Sequence, residues 1–151
     1  MTQPKKKILL LRSVDRDRRS HDGFQWPPVG RWAKAPDFSP EPECGNGLHG
    51  LPWGQGDLSL ISYWDNSRIF QIVEAFESEC IDIDRKMKFP RCKVVFEGTK
   101  EACGTFLHER TPPALGFAIP FVIVSTGDNG IATAGNFGIA TAGNFGIATA
   151  G

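Results

Sequence analysis

The feature that most constrains this chain is an eight-residue repeat at its C-terminal end. The segment IATAGNFG begins at Ile131 and recurs unchanged from Ile139, a third copy starts at Ile147, and a degenerate copy, IVSTGDNG, begins at Ile123. An even period keeps each position on the same face of a strand, and it does not match the 3.6-residue period of a helix. The glycine-rich end of each unit is typical of a turn. The repeats therefore predict a parallel β-solenoid with two units per coil.

The alternation within each unit leaves two orientations open. Ala132 and Ala134 point to one face of the strand, and Ile131 and Thr133 point to the other. With the alanines inward, the core is narrow and the isoleucines and threonines form an external ladder. With the isoleucines and threonines inward, the surface is nearly plain alanine. We favour the first arrangement.

The closing Thr-Ala-Gly of each unit, as at residues 133–135, resembles the repeats of ice-nucleation proteins. The resemblance covers the chain from about Ile123 onward and implies a β-solenoid with a surface that binds ice. Where that family has a Thr-x-Thr pair, this chain has Ile-x-Thr, as at Ile131 and Thr133.

Charge divides the chain near residue 111. Residues 1–110 hold every lysine and arginine, whereas residues 111–151 hold a single charge, Asp128. The formal net charge of zero argues against a nucleic-acid binder. The longest apolar run, residues 114–124, is broken by Gly116 and Pro120 and is too short to span a bilayer. With no signal peptide recognisable, the sequence predicts a cytoplasmic protein without a membrane partner, whose cysteines are thiols.

The first 110 residues predict a β-rich head domain of the α+β class. An apolar run, β-branched residues and aromatic residues indicate strands over 5–14, 31–35, 47–51, 68–76, 81–84 and 93–96, and one short helix is predicted over 99–109. The predicted organisation is a head over 1–110, an apolar connector over 111–122 and the repeats over 123–151.

Three motifs of the head occur together: GFQWP from Gly23, CGNGLHG from Cys44 and KFPRCKVVF from Lys88. They resemble an uncharacterised domain of bacterial and phage-linked proteins that precedes repeats rich in alanine, glycine and threonine. The resemblance covers about residues 6–110. It implies the architecture and no particular reaction.

Two Cys-x4-His pairs are candidate metal ligands. Cys44 with His49 and Cys103 with His108 supply two thiolates and two imidazoles, which are the ligands that zinc prefers. The alternative is that the cysteines are small buried apolar side chains and the histidines bond loop carbonyls. Cys44 and His49 are also a possible nucleophile and base. We predict no metal and no cofactor.

A faint resemblance to the ADP-ribosyltransferase superfamily is carried by Arg12 at the end of the first strand and by the Gly-Leu-His-Gly stretch that contains His49. It implies an enzyme in which Gly47 approaches a phosphate, His49 bonds a ribose hydroxyl, and a glutamate from a later strand, such as Glu97, is catalytic. The family's Glu-x-Glu pattern is absent. The sequence leans away from an enzyme.

The repeats lead to the function that we predict from the sequence. Fewer than two coils are present, and an open coil end exposes unpaired strand groups. The array is therefore either part of a longer repeat or completed by self-association. We predict a structural protein that forms a homo-oligomer or filament, with the head as cap or adaptor; an ADP-ribosyltransferase-like enzyme and an ice- or surface-binding repeat protein are the alternatives. The predicted interface consists of Ile131, Thr133, Phe137, Ile139, Thr141, Phe145, Ile147 and Thr149.

Overall fold

A computed structural model describes residues 5–20, 22–126, 128, 131–144 and 146–151 of the chain. These residues contain eleven strands and one α-helix, so the β-rich composition predicted from the sequence is confirmed. The chain divides into two compact units, residues 1–99 and 100–151. The division into head, connector and repeats stays a prediction.

The first unit is built on one antiparallel sheet of seven strands. In order along the sheet they are β2, β7, β4, β1, β3, β6 and β5. Their bounds are β1 (Lys7–Val14), β2 (Trp32–Lys34), β3 (Leu48–Pro52), β4 (Ile69–Phe76), β5 (Ile81–Asp82), β6 (Met87–Phe89) and β7 (Arg91–Gly98). Two 3-10 turns, Leu58–Ile61 and Glu77–Glu79, lie between strands.

Strand β1 is the centre of this sheet. Its apolar run is buried on both faces, as the sequence predicts. It pairs with β4 over its whole length, from Lys7 opposite Phe76 to Val14 opposite Ile69. Its other neighbour, β3, pairs with it only at Leu10 and Leu11. The ladder between β1 and β3 therefore ends early, and this opening positions the cavity described below.

The core of the first unit covers one face of the sheet. It joins side chains of β1, β4 and β7 with Trp26, which comes from the proline-rich loop ahead of β2. Trp26 is 2% exposed and meets Phe24 edge to face. The Trp26 indole thus covers core side chains on a face of the sheet that no α-helix of the first unit covers among the described residues.

The second unit consists of the helix and the repeats. The helix α1 (Lys100–Arg110) lies within one residue of its predicted bounds, and a 3-10 turn, Pro113–Leu115, follows it. Four short strands come next: β8 (Ile123–Thr126), β9 (Ile131–Ala134), β10 (Ile139–Ala142) and β11 (Ile147–Ala150). They form two parallel pairs, β8 with β10 and β9 with β11.

The pairs are in the register that the repeat predicts. Ile139 lies opposite Ile123, and Ile147 lies opposite Ile131, so each strand meets the strand sixteen residues away. Thr149 likewise lies opposite Thr133. A closed solenoid remains a proposal.

Among the described residues, no helix is long and apolar enough to cross a membrane. The predicted cytoplasmic location stays a prediction. The four cysteines are all free thiols.

Candidate functional site

The outward face of the repeats carries most of the predicted assembly interface. Ile131 is 71% exposed, and Ile139, Ile147 and Phe137 are exposed by more than half. Thr133, Thr141 and Thr149 are exposed as well. Phe145 lies outside the described residues. The six described isoleucine and threonine members of the interface therefore share the solvent side of the strands, and Phe137 is exposed at a corner.

The alanines form the inward face. Ala132 and Ala134 in β9 are 4% and 2% exposed, whereas their neighbours Ile131 and Thr133 are exposed. The preferred orientation, with alanine inward, is confirmed for this strand. Because methyl groups are the only inward side chains here, the two strand pairs approach each other closely and bury little apolar area.

The corners of the repeats depend on glycine because backbone passes directly over them. A Cβ on Gly135 would lie 2.6 Å from the Ala118 carbonyl oxygen, and one on Gly138 would lie 2.6 Å from the Val122 carbonyl oxygen. Such distances are shorter than any van der Waals contact. Glycine at these corners is therefore required by stacking and not only by the turn.

The sixteen-residue register begins before the first recognisable copy of the repeat. Phe121 stands sixteen residues before Phe137, both have φ near +60°, and their rings stack with centroids 6.0 Å apart. The Phe121 N–H donates to the Asn136 carbonyl, and the Ile139 N–H donates to that of Val122. The end of the predicted connector thus forms a corner of the repeat. Comparing residues sixteen apart, not eight, reveals this corner in the sequence.

Asp128, the single charge of the repeat region, secures the opposite corner. Its carboxylate accepts a hydrogen bond of 2.7 Å from the Asn144 N–H, sixteen residues later. The degenerate copy therefore has an aspartate at the position where the later copies have asparagine, and the aspartate side chain makes this bond. The bond ties two successive corners together.

In the first unit, the structure brings Arg12 and His49 together. The Arg12 guanidinium donates to the His49 carbonyl oxygen at 2.7 Å, across the gap where the β1–β3 ladder has ended. The same guanidinium lies over the Trp26 ring, 3.5 Å from its centroid. Both residues line one cavity of about 630 Å³. Gly47, in the same stretch, leaves room for the Lys88 side chain, whose Cγ would lie 2.6 Å from a Cβ there.

His49 is neutral in this setting. Burial, followed by the positive charges of Lys86 and Arg12, lowers the pKa of its imidazole to about 4. Its Nε2 accepts a hydrogen bond of 3.4 Å from the Gly45 N–H. At neutral pH the ring therefore adds no charge to the cavity.

Glu97 lies apart from this pair. Both of its carboxylate oxygens accept from the Arg18 guanidinium at 2.9 Å, and one also accepts from the Gln71 side-chain amide at 2.8 Å. Burial alone would raise the pKa of Glu97, but these hydrogen bonds outweigh it and lower the pKa. Glu97 does not line the cavity. Its contacts are those of a structural ion pair, and a catalytic role for it stays a prediction.

The four candidate zinc ligands are divided between the two units. Cys44 is exposed, and its sulfur lies 3.2 Å from the Lys86 amine. On α1, Cys103 is buried and His108 is exposed, so the helix directs them to different faces. In the described part of the chain, no group of three or more histidine, cysteine, aspartate or glutamate side chains is arranged to hold a metal.

Comparison with known proteins identifies a family and several relatives. The family model described as a domain of unknown function (DUF7666) matches residues 8–105. The chain is 36% identical over 107 residues to the ice nucleation protein InaU of Pantoea ananas, which is 69% of this chain and 10% of that protein. It is equally similar to an ice nucleation protein of Enterobacter agglomerans, covering 69% of this chain and 8% of that protein.

An ice nucleation protein of Pseudomonas fluorescens is 29% identical over 105 residues, or 68% of this chain and 8% of its own length. The chain spans about a tenth of the length of the curated relatives it matches. These matches are far longer than the stretch from Ile123 to Gly151, so most of each lies ahead of the repeats. The similarity to ice nucleation proteins, expected only for the repeats, is therefore found largely in the residues that precede them. No solved structure gives a significant match.

Proposed function

The chain belongs to the DUF7666 family, and from that premise we propose that it is a structural repeat protein whose C-terminal strands form a β-solenoid and associate with further copies of the chain. The observation that carries this proposal is the sixteen-residue register of β8 with β10 and of β9 with β11, with alanine inward. Two eight-residue units per coil are the simplest path that connects strands in this order.

The two ends of the stack differ in a way that supports self-association. At its beginning, α1 packs against residues 120–122, where a Cβ on Gly104 would lie 2.6 Å from the Pro120 carbonyl oxygen. At its other end, Ala148 and Ala150 of β11 are exposed, although their equivalents in β9 are buried. Among the described strands of the repeats, each of β8 to β11 pairs on one side only. An uncovered parallel edge is a template for another strand.

The outward ladders supply a second surface for association. Ile131 and Ile147 stack in one strand pair, and Ile123 and Ile139 stack in the other. All four are exposed by more than half. Neighbouring strands lie about 4.8 Å apart, so the isoleucines form a close apolar row. Rows of this kind in a region with one charge favour contact with an apolar partner of the same shape.

Light scattering over a range of protein concentrations tests the proposal. We expect the mass of the full chain to rise with concentration, and the rise to weaken in Ile131→Lys, which charges a ladder, and in Ala148→Pro, which removes an N–H from β11. Val29→Lys, at an exposed apolar residue of the first unit, is the matched control and should assemble normally. A wild-type chain that stays monomeric while its repeats are folded by NMR overturns the proposal.

A second candidate function, binding to ice, is favoured by the relatives named ice nucleation proteins. It uses the same ladders, in which methyl and hydroxyl groups alternate along each strand at Ile131 and Thr133. Freezing of droplets that contain the chain measures it directly. We expect a higher freezing temperature than in buffer, lowered again by Thr133→Lys but not by Val29→Lys. If light scattering shows that the sample is assembled but its droplets freeze at the same temperature as buffer, ice binding is wrong and the structural function is unaffected.

A further inference from the structure

The cavity of the first unit opens where β1 and β3 stop pairing. The last pair of their ladder is Leu11 with Leu51, and from there the strands are bridged by the Arg12 side chain. The cavity volume of about 630 Å³ lies in the range of small-molecule sites. Phe24 and Trp26 form part of its wall. It therefore combines an apolar wall with the polar groups described next.

Arg12 is an unusual residue for such a position. It is 7% exposed, and its Nε has no hydrogen-bond partner among the described residues. Burial lowers the pKa of its guanidinium to about 9, which still leaves it charged at neutral pH. A purely structural role, in which Arg12 links β1 to β3, explains the bond to His49 and the stacking on Trp26. It does not explain why a charged side chain is buried while its Nε–H donates no hydrogen bond.

Two further cations line the same cavity, Arg68 and Lys86. The Arg68 Nε donates to the Ser13 hydroxyl at 2.8 Å, which directs this guanidinium toward the end of β1. No salt bridge within the described residues joins Arg12, Arg68 or Lys86 to a carboxylate, although six other basic side chains form such pairs. Within the described residues, these three basic groups therefore lack a direct ion pair, although the charge of Asp22 acts on Arg12.

The carboxylates in the wall are fewer. Asp22 and Asp37 line the cavity, and Asp22 accepts hydrogen bonds from the Ser20 hydroxyl and from the Phe24 N–H at 3.2 Å. With the His49 imidazole neutral, three cations face two carboxylates, so the cavity has a net positive charge. Carboxylates and serine hydroxyls in the same wall are groups that bind the hydroxyls of a sugar.

We propose that this cavity is a binding site for a sugar phosphate, with the phosphate held by Arg12 and Arg68 and the sugar hydroxyls bonded to Asp22 and Ser20. Guanidinium groups bind phosphate oxygens with short, charge-assisted hydrogen bonds. Lys86 contributes a third positive charge at the rim. The site is independent of the repeats, because every residue that lines it belongs to the first unit.

Isothermal calorimetry on the full chain tests the site with glucose 6-phosphate as the probe. Glucose and inorganic phosphate are the matched controls that separate the two halves of the ligand. We expect saturable binding of glucose 6-phosphate, weaker binding of inorganic phosphate and no detectable binding of glucose. If glucose 6-phosphate shows no saturable binding at millimolar concentration, the proposal is wrong.

Variants then locate the binding. Arg68→Gln removes a cation at a half-buried position and should weaken binding of glucose 6-phosphate by about tenfold, as expected for loss of one charge-assisted hydrogen bond. Arg12→Gln should weaken binding at least as much, but this variant also loses the hydrogen bond to the His49 carbonyl. If Arg12→Gln does not fold, Arg68→Gln and Lys86→Gln alone test the site. Arg31→Gln, at an exposed arginine outside the cavity, should bind like the wild type. Equal binding by Arg68→Gln, Lys86→Gln and Arg31→Gln overturns the assignment.

Discussion

The two units of this chain are stabilised by different parts of the polypeptide. In the first, large side chains such as Leu10, Ile72 and Phe89 are fully buried, and the strands that carry them are far apart in the sequence. In the second, the inward side chains of the strands are alanine, with valine and threonine in β8, and successive corners are joined by backbone hydrogen bonds between residues about one coil apart. The first unit depends on side-chain packing, and the repeats depend on backbone stacking.

This difference decides which residues tolerate substitution. A core position is sensitive to loss of volume, since each buried methylene contributes about 0.8 kcal/mol. A corner of the repeat is sensitive to gain of volume, since the neighbouring coil leaves no room for a Cβ. The exposed isoleucines of the repeats belong to neither class, and we expect them to matter for contacts with other molecules and not for the stability of the chain.

The largest effect is expected from truncation in the core. Leu10→Ala, at a residue with no exposed surface, should lower the free energy of unfolding of the first unit by about 3 kcal/mol because it leaves a cavity. Ile131→Ala, which removes an exposed side chain of the repeats, should change stability by about 0.5 kcal/mol or less. Hydrogen exchange followed residue by residue separates the two units. Equal losses from both variants would show that the exposed ladder is part of a core.

Added volume at a corner should give the next largest effect. Gly135→Ala places a Cβ 2.6 Å from the Ala118 carbonyl oxygen and should destabilise the second unit by about 2 kcal/mol, because the obstacle is backbone. Gly45→Ala is the control for the substitution itself, since open space surrounds a Cβ there and only its positive φ causes strain. Exchange protection of β8 to β11 that survives Gly135→Ala unchanged would contradict the stacking.

The same difference explains what could be predicted from the sequence. In the repeats, the period predicts register and strand pairing, because each interaction recurs at a constant separation. It leaves two orientations open for the inward face. Phe121 falls in the predicted connector, and Pro120 and Val122 stand around it where the repeat has asparagine and glycine. The stacked rings at residues 121 and 137 show that the position, and not the full motif, defines the corner.

In the first unit, the strands themselves were mostly predictable, but their order was not. The apolar run of β1 indicates a central strand, whereas β6 is only three residues long and was not predicted. The cavity unites Arg12, Arg68 and Lys86, which have no shared motif or spacing. Such a site arises from the place where β1 and β3 stop pairing, and that place depends on long-range register. Arg12 and His49 were chosen by resemblance, and their proximity did not follow from the sequence pattern.

A smaller effect is expected from the ion pair of Glu97. Glu97→Gln keeps the shape but removes the charge from a bidentate contact with Arg18 that is partly buried, and should lower the stability of the first unit by about 1 kcal/mol. Glu77→Gln, whose partner Lys6 is largely exposed, should have almost no effect. Denaturant unfolding at neutral pH compares the two. The pKa of Glu97 is lowered in the folded chain. The stability that Glu97→Gln loses relative to the wild type should therefore vanish as the pH falls through the pKa of Glu97 in the folded chain.

The last effect concerns the pH dependence that His49 gives to the first unit. Burial, together with Lys86 and Arg12, lowers the pKa of the imidazole from its ordinary value of 6.5 to about 4. Between these two values the unfolded chain binds a proton that the folded chain does not, so stability rises with pH across this window and is lost as the pH falls from about 6.5 toward about 4.

His49→Gln has no such proton to bind. The free energy of unfolding of the wild type minus that of His49→Gln should therefore decrease as the pH falls through the window, and it should be constant above it. Subtracting the variant removes the contribution of carboxylates that titrate in the same range. A difference that does not change between these pH values would show that His49 is as well solvated in the folded chain as in the unfolded one, and that the cavity is open to water at this point.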